Sequence, residues 1–410
     1  MRLTGTRAGA ILGELCSTPE PRRAALRWLR HRDEPLDHAL VLWFPAPGSY
    51  TGEDAAELQL HGGPAVVEGV FEALVDLGAR PAEPGEFTRR AFLHGKMDLT
   101  EAEGIADLIE AETQAQRRQA LDQANGALAA RCAGWAKALT DLLARQEAFI
   151  EFEDEDLPDG LNAAVSAGAA RLREELAQSL ATARQGESLR NGVRIALLGA
   201  PNAGKSSLFN ALLGSEAAIV SPQAGTTRDV VQARLIIGGV PVTLSDTAGL
   251  RETDDAIEAE GVRRAHAEGE KADLVIALVE PGKGLDGALR ELVAQGALLV
   301  CSKSDLGRSC DEGLPVSVRT GDGLPELMRA LEVRVMALVG SHHAGVLTRP
   351  RHRAAISDAI AALDLLGEAV LPELAAEALR LALRSIGRLT GRVGVEAVLD
   401  AVFSEFCIGK

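Results

Sequence analysis

The run Gly199-Ala200-Pro201-Asn202-Ala203-Gly204-Lys205-Ser206 fits the pattern G-x-x-x-x-G-K-[ST]. Its chemistry would be the cradling of phosphate. Small residues let successive backbone N–H groups close around the β- and γ-phosphates. Lys205 neutralises phosphate charge, and the Ser206 hydroxyl suits Mg²⁺. Asn202, Ala203, Gly204 and Ser207 complete the expected loop contacts. Downstream stands Asp246-Thr247-Ala248-Gly249. Asp246 would hold Mg²⁺ through water, and the Gly249 N–H would sense the γ-phosphate. Between the two lies Thr226-Thr227-Arg228-Asp229, where a switch threonine belongs. Thr227 is the candidate for the second Mg²⁺ hydroxyl, with Thr226 beside it. Each of the two later elements is weak alone; their order and spacing after the loop make them strong.

A second set of residues would read the base. In Ser302-Lys303-Ser304-Asp305, the Asp305 carboxylate can accept both the N1–H and the N2 amine of guanine. Adenine offers no such pair, so GTP is favoured over ATP. The usual base-reading motif has Asn where Ser302 stands, so one guanine or loop contact is expected to be weaker. Ser317-Val318-Arg319 fits a last base-contact loop, with an ordinary strand end as the alternative. Leu250 follows Gly249, where many small GTPases place a water-positioning Gln. An apolar side chain cannot orient water. Hydrolysis then needs another group, either an acid from residues 251–260 or a partner.

These residues need a sheet with loops at one end. Short apolar runs at 193–198, 240–244, 274–279 and 298–301 read as strands separated by helix-length segments, which predicts a parallel α/β domain. Helical sequence flanks it on both sides. On one side, Thr100 and Glu103 predict a capping box opening a helical stretch to about residue 146, and a second stretch covers about 164–185. On the other, residues 354–406 read as helical after a polar joint holding His342, His343 and His352. The simplest account is one helical domain interrupted by an inserted nucleotide domain. Residues 1–98 look mixed: a strand at 39–44, weak alternation at 57–61, a helix at 64–77 begun by Pro64, and loop at 81–87. Arg22, Arg23, Arg27, Arg30, His31 and Arg32 form a basic cluster read as a solvated helix. The acidic run from Glu151 to Asp156 reads as a helix end and turn.

Composition excludes several classes. The chain has 410 residues, with 43 Lys and Arg against 59 Asp and Glu, a net charge of -16. That length predicts two or three domains. A surface so acidic repels phosphate unless a local patch or a partner compensates, which argues against a basic nucleic-acid coat. Aromatics at 3% argue against a base-stacking surface. Five cysteines without CxxC spacing fit a reducing compartment, and His342 and His343 have no zinc-ligand spacing with Cys301 or Cys310. No apolar run is long enough to span a membrane, and the expected location is cytoplasmic.

The phosphate loop, Thr226-Thr227-Arg228-Asp229, the stretch Asp246 to Thr253 and the closing Phe406-Cys407-Ile408-Gly409-Lys410 together resemble the MnmE (TrmE) family of tRNA modification GTPases. So do Trp43-Phe44-Pro45, Glu57-Leu58-Gln59, His61-Gly62-Gly63-Pro64 and Pro84-Gly85-Glu86-Phe87-Thr88. The resemblance covers almost the whole chain. It implies a multidomain protein: an N-terminal α+β folate-binding-like domain over 1–98, a discontinuous all-helical domain over 99–190 and 339–410, and an inserted α/β P-loop GTPase domain over 191–338. It implies homodimers, K⁺-driven pairing of the G domains, and work with an MnmG-type FAD protein in a heterotetramer. The implied product is a carboxymethylaminomethyl or aminomethyl group at carbon 5 of the tRNA wobble uridine. A 5,10-methylenetetrahydrofolate (or its 5-formyl form) supplies the one-carbon unit. Asn202 would be the side-chain ligand of K⁺, with Ser221, Gln223 and Thr226 on the loop that adds carbonyls. Glu258 matches the family's catalytic acid, Arg228 and Asp229 a stabilising pair, and Cys407 a cysteine near the uridine chemistry. Two departures stand out. The chain starts at the family's Arg2-Leu3-Thr4-Gly5 element without the strand that ordinarily precedes it, which puts the folate site and dimer in question. Arg388 stands where Glu is common. The alternative function is a regulatory or ribosome-assembly GTPase without modification chemistry.

Overall fold

The computed structural model describes residues 1–151, 161–214, 231–246, 271–285, 287–307, 313–340, 346–369, 371–393, 399, 402–403 and 406. The chain divides into two compact units. One comprises Met1–Ile109, Asp122–Gly168 and Leu365–Lys410; the other comprises Glu110–Leu121 and Ala169–Asp364. Among the described residues, no helix is long and apolar enough to cross a membrane.

The first unit begins with β1 (Arg2–Thr4), α1 (Ala8–Leu15), β2 (Ala25–His31), β3 (Glu34–Phe44), β4 (Ala55–Gln59), α2 (Pro64–Asp76) and α3 (Glu86–Leu93). The strands form an antiparallel sheet in the order β1-β4-β3-β2. One sheet face is sealed: Leu29, Val41 and Leu58 pack against Leu12 and Leu15 of α1 and Val70 and Leu74 of α2. Asp37 ties β3 to the entry of α2, accepting the His61 N–H at 3.0 Å and its Nδ1 at 2.8 Å. The basic cluster is not a helix. Arg27, Arg30 and His31 lie on β2, and Arg32 and Asp33 form the turn of a hairpin with φ of 50° and 66°. Such a two-residue turn ordinarily carries Asn or Gly, so Arg-Asp gave no hairpin signal. The expected loop at 81–87 ends two residues early, since α3 starts at Glu86.

The helical stretch expected from Thr100 to residue 146 is three helices: α4 (Leu99–Glu110), α5 (Gln114–Ala124) and α6 (Ala127–Glu151). Thr100 and Glu103 do not make the capping box; both are buried inside α4. Asp98 and Glu101 make it. Asp98 Oδ1 accepts the Glu101 N–H at 2.9 Å, and Glu101 Oε2 accepts the Asp98 N–H at 2.7 Å. A second box opens α5, where Thr113 and Gln116 exchange backbone-to-side-chain bonds at 3.3 Å. Both satisfy N–H groups left over at a helix start. Gly104 lets α4 lie against the end of α5: a Cβ there would stand 2.4 Å from the Ala124 nitrogen.

The second unit holds most of α7 (Leu161–Ala181), then α8 (Ala183–Asn191), where one stretch at 164–185 was expected. Thr182 separates the two. A six-stranded sheet follows in the order β10-β9-β8-β5-β7-β6. Its strands are β5 (Val193–Gly199), β6 (Val231–Ile237), β7 (Val240–Asp246), β8 (Leu274–Val279), β9 (Leu298–Cys301) and β10 (Leu314–Pro315). Its helices are α9 (Lys205–Leu213), α10 (Gly287–Ala294) and α11 (Leu324–Val339). The four expected strands, β5, β7, β8 and β9, are parallel, and the short β10, which was not expected, adds a fifth; β6 pairs antiparallel with β7 through the turn at Gly238-Gly239. Central β5 is covered on both faces, by Leu208, Leu212 and Leu331 on one and by Leu289 on the other. That double burial explains its continuous apolar run.

The stretch read as helical from residue 354 holds two helices among its described residues. α12 (Pro350–Glu368) and α13 (Pro372–Thr390) are separated at Leu371, where Pro372 opens the second. The joint's His352 is fully buried in α12 and accepts the Thr348 N–H at its Nδ1. Within the first unit, α13 packs along α6 despite the sequence distance. Arg380 pairs with Glu147, and Gln146 Nε2 donates to the Pro372 carbonyl at 3.1 Å. Phe403 and Phe406 bury against Leu99 and Ala102 of α4, and Gly85 meets the Phe403 carbonyl so closely that a Cβ would lie 2.5 Å from it.

Gly104→Ala should destabilise the protein by about 1–3 kcal/mol, because backbone rather than a side-chain tip fills the space. Gly134→Ala, on α6 with nothing near its added methyl, should instead stabilise by up to about 1 kcal/mol. Urea unfolding of the two variants checks the opposite signs.

Candidate functional site

The phosphate loop joins the C-terminal end of β5 to the start of α9, as ligand loops of α/β sheets do. Gly199 leaves the strand where a Cβ would stand 2.5 Å from the Leu278 carbonyl oxygen of β8. Asn202 and Gly204 adopt positive φ, 62° and 90°. Asn tolerates that conformation better than other side chains do. The turn brings Lys205 into the loop, where its buried Nζ donates to the carbonyls of Gly199 at 2.7 Å and Ala200 at 2.9 Å. Ser206 donates its hydroxyl to Asp246 Oδ2 at 2.7 Å. Asp246 ends β7, which runs parallel to β5, and it sits opposite Leu197. Ala203 is buried in the core below, and Ser207 continues α9. Ser206 and Asp246 are hard oxygen donors on one spot, as Mg²⁺ prefers.

The base-side residues gather at the ends of β9 and β10. Lys303, at φ 53°, reaches the Asn202 carbonyl at 2.7 Å and Glu280 Oε1 at 2.8 Å. It thereby links the base loop to the phosphate loop. Glu280, which sequence reasoning missed, also pairs with Lys283, and the two lysines hold its carboxyl below the usual range. Ser302 is buried and turned onto the neighbouring strand. Its hydroxyl and N–H both donate to the Val279 carbonyl, at 3.2 and 2.9 Å. Asp305 accepts the Ser317 hydroxyl at Oδ1, 2.7 Å, and Arg319 Nε at Oδ2, 2.8 Å. The Ser317 hydroxyl and the Arg319 guanidinium hold its carboxyl below the ordinary range. Val318 is exposed between them. The remaining candidates, Ser221, Gln223, Thr226, Thr227, Arg228, Asp229, Gly249, Glu258 and Cys407, lie outside the described residues.

Among the described residues, the clefts beside the first unit's small sheet include two that gather charged and aromatic side chains. One of about 350 Å³ is lined by Arg2, Phe44, Tyr50, Glu57, Phe87 and Leu108, with Arg2 Nε paired to Glu57 Oε1 at 2.9 Å. The other, about 690 Å³, lies between Phe71 and Val75 of α2 and the charged group Glu53, Arg80, Glu86 and Arg90. Glu86 receives both Arg80 and Arg90, and Arg90 also holds Glu53.

Two family profiles cover the chain nearly end to end. "GTP-binding protein TrmE N-terminus" matches residues 1–96, and "MnmE helical domain" matches residues 99–407. The chain belongs to the MnmE (TrmE) family. A relative from Gluconacetobacter diazotrophicus, called "tRNA modification GTPase MnmE", is 54% identical over 419 residues, spanning 100% of this chain and 95% of the relative. One of the same name from Acidiphilium cryptum is 53% identical over 419 residues, again 100% and 95%. Among solved structures, the G domain of the T. maritima FeoB iron transporter matches 36% of this chain and 99% of that one, at 24% identity and a TM-score of 0.27.

In this MnmE-family chain, the first unit's charged cleft makes a measurable pH signature. Burial alone would raise the Glu86 carboxyl, but hydrogen bonds from Arg80, the Glu83 N–H and Arg90 hold it at about 2. A carboxylate depressed on folding contributes stability above its unfolded value, which is lost as pH falls toward the folded one. The loss attributable to Glu86 should therefore run from about pH 4.5 down to about pH 2. Thermal melts across that window should fall less steeply for Glu86→Gln than for the parent chain; parallel curves would refute the assignment.

Proposed function

We propose that this chain is a GTP hydrolase that works with an MnmG-type FAD protein to modify carbon 5 of the tRNA wobble uridine, forming carboxymethylaminomethyl- or aminomethyl-uridine. The observation that carries the reading is the junction of Lys205, Ser206 and Asp246 at the ends of adjacent parallel strands, in a chain matched along its length by relatives named as tRNA modification GTPases. In this reading residues 191–338 are the inserted G domain, 99–190 and 339–410 the discontinuous helical domain, and 1–98 the folate-binding and dimerisation domain.

The chain's own groups divide the work. Lys205 exchanges its two loop carbonyls for phosphate oxygens, so its charge is already in place before nucleotide arrives. Ser206 turns its oxygen outward and Asp246 accepts from water rather than from Ser206. Asp305 takes the donor edge of guanine. Bound Mg²⁺ and K⁺ offset the charge that develops on the phosphates. Thr227 and Asn202 are the further ligands proposed for them, with Ser221, Gln223 and Thr226 around K⁺. Glu258 orients the water that Leu250 cannot, with Arg228 and Asp229 stabilising the switch. A folate one-carbon carrier has an apolar ring system and an anionic tail. The Arg2 and Glu57 cleft, with Phe44, Tyr50 and Phe87, has matching apolar walls and a charged mouth. Cys407 is proposed to act near the uridine, since the neighbouring Phe406 is anchored on α4. The functional unit is a cytoplasmic homodimer joined to the FAD protein in a heterotetramer, which carries most of the tRNA contact for a chain at -16.

An assembly GTPase is the second reading; the matches over 1–96 favour the first, because a bare assembly GTPase needs no such domain. Mass analysis of wobble uridine in a deletion strain complemented with this chain decides between them. Restored modification is expected, and unmodified uridine in the complemented strain would sink the proposal. GTP turnover should be faster in K⁺ than in Na⁺, and equal rates would remove the role given to Asn202. Lys205→Ala should lower GTP affinity by at least about tenfold, since a charge-assisted contact to phosphate is worth about 1.5–3 kcal/mol; isothermal titration measures it.

A further inference from the structure

The carboxylate that is to read guanine already holds another ligand. Arg319 places Nε 2.8 Å and an Nη 2.8 Å from Asp305 Oδ2. The carboxylate is sheltered, with 11% of its side chain exposed, while Arg319 is 76% exposed. The guanidinium thus covers Asp305 from the solvent side. Its position is set by a turn with its own bonds. Ser317 N–H donates to the Asp322 carbonyl at 2.8 Å, Gly321 N–H to the Ser317 carbonyl at 2.9 Å, and Thr320 N–H to Ser317 Oγ at 3.2 Å.

The chemistry of the two ligands is alike. Guanine shows a carboxylate two adjacent N–H donors, N1–H and an N2–H, attached to one carbon. Arg319 shows Nε–H and Nη–H, also attached to one carbon. The base edge is itself a guanidine unit. Ser317 occupies Oδ1, yet a carboxylate oxygen has a second lone-pair direction, so Ser317 can stay while guanine replaces Arg319.

We propose that Arg319 is a tethered competitor of guanine: it occupies Asp305 in the empty site, must swing off when the base arrives, and takes Asp305 back when the base departs. Its effect is to weaken guanine-nucleotide binding. The proposal rests on the guanine-reading role given to Asp305 above. Because the guanidinium is solvent-exposed, the competition is modest and is released by substitution at little structural cost.

The test uses the full chain and a fluorescent GDP labelled on the ribose, with stopped-flow and equilibrium readouts. Arg319→Ala should bind roughly two- to fivefold more tightly than the parent chain, the range an exposed ion pair commands. Arg319→Lys keeps the charge that attracts phosphate but lacks the paired donors, so it should also bind more tightly. Binding by either variant that is equal to or weaker than the parent overturns the proposal and makes Arg319 an ordinary contact to bound nucleotide. Thermal melts without nucleotide verify that both variants fold. Asp305→Asn separates this from the reading beneath it. Xanthine carries an oxygen where guanine carries its amine, so that variant should prefer xanthosine diphosphate. No swap of preference would overturn the guanine reading itself, whatever Arg319 does.

Discussion

A lysine ammonium buried at the end of a central strand has to be answered by oxygen. Lys205 finds it in the Gly199 and Ala200 carbonyls, because the chain leaving β5 turns back over its own side chain. That turn depends on Gly199, whose missing Cβ makes room for the Leu278 carbonyl, and on positive φ at Asn202 and Gly204. The same turn lines up α9, which puts Ser206 against Asp246, and it exposes the Asn202 carbonyl to Lys303. Phosphate, metal and base residues are therefore coupled through one backbone feature. The cost of a buried charge without partners is what keeps the feature closed.

The base side shows the same economy of groups. Asp305, Glu280 and the Asn202 carbonyl each have a cation or a hydroxyl on them: Arg319 and Ser317, Lys303 and Lys283, and Lys303 again. Ser302 replaces a reaching amide by a short hydroxyl that closes on the Val279 carbonyl and fastens β8 to β9. The site is thus held in shape by contacts among its own residues. In the function proposed here, nucleotide binding is an exchange of partners rather than the filling of a bare surface.

The first unit is organised by close approach. Gly104 admits the backbone of Gln123 and Ala124, Gly85 admits the Phe403 carbonyl, and Gly391 admits the Phe92 ring. The last two contacts join chain segments from opposite ends of the sequence, and α13 on α6 does the same on a larger scale. The paired helices α6 and α13 are what this unit builds from those distant segments.

Local pattern was enough for much of this. The phosphate loop, four of the parallel strands and the Pro64 helix are legible because Gly spacing, apolar runs and Pro each act on their own few residues. Helix starts were less legible. Asp98 and Thr113 compete with Thr100 for the same signal, and burial of Thr100 and Glu103 decides against them. β2 was hidden because its arginines suit a helix surface, and only pairing with β3 makes it a strand. β6 was hidden because its antiparallel place depends on β7. Side-chain chemistry and short spacing were enough to nominate residues for phosphate and guanine. Which groups occupy them meanwhile is set by contacts between distant parts of the chain. Arg319 stands fourteen residues from Asp305, and Glu280 stands twenty-three from Lys303. No local periodicity reports a meeting that a sheet of six strands brings about.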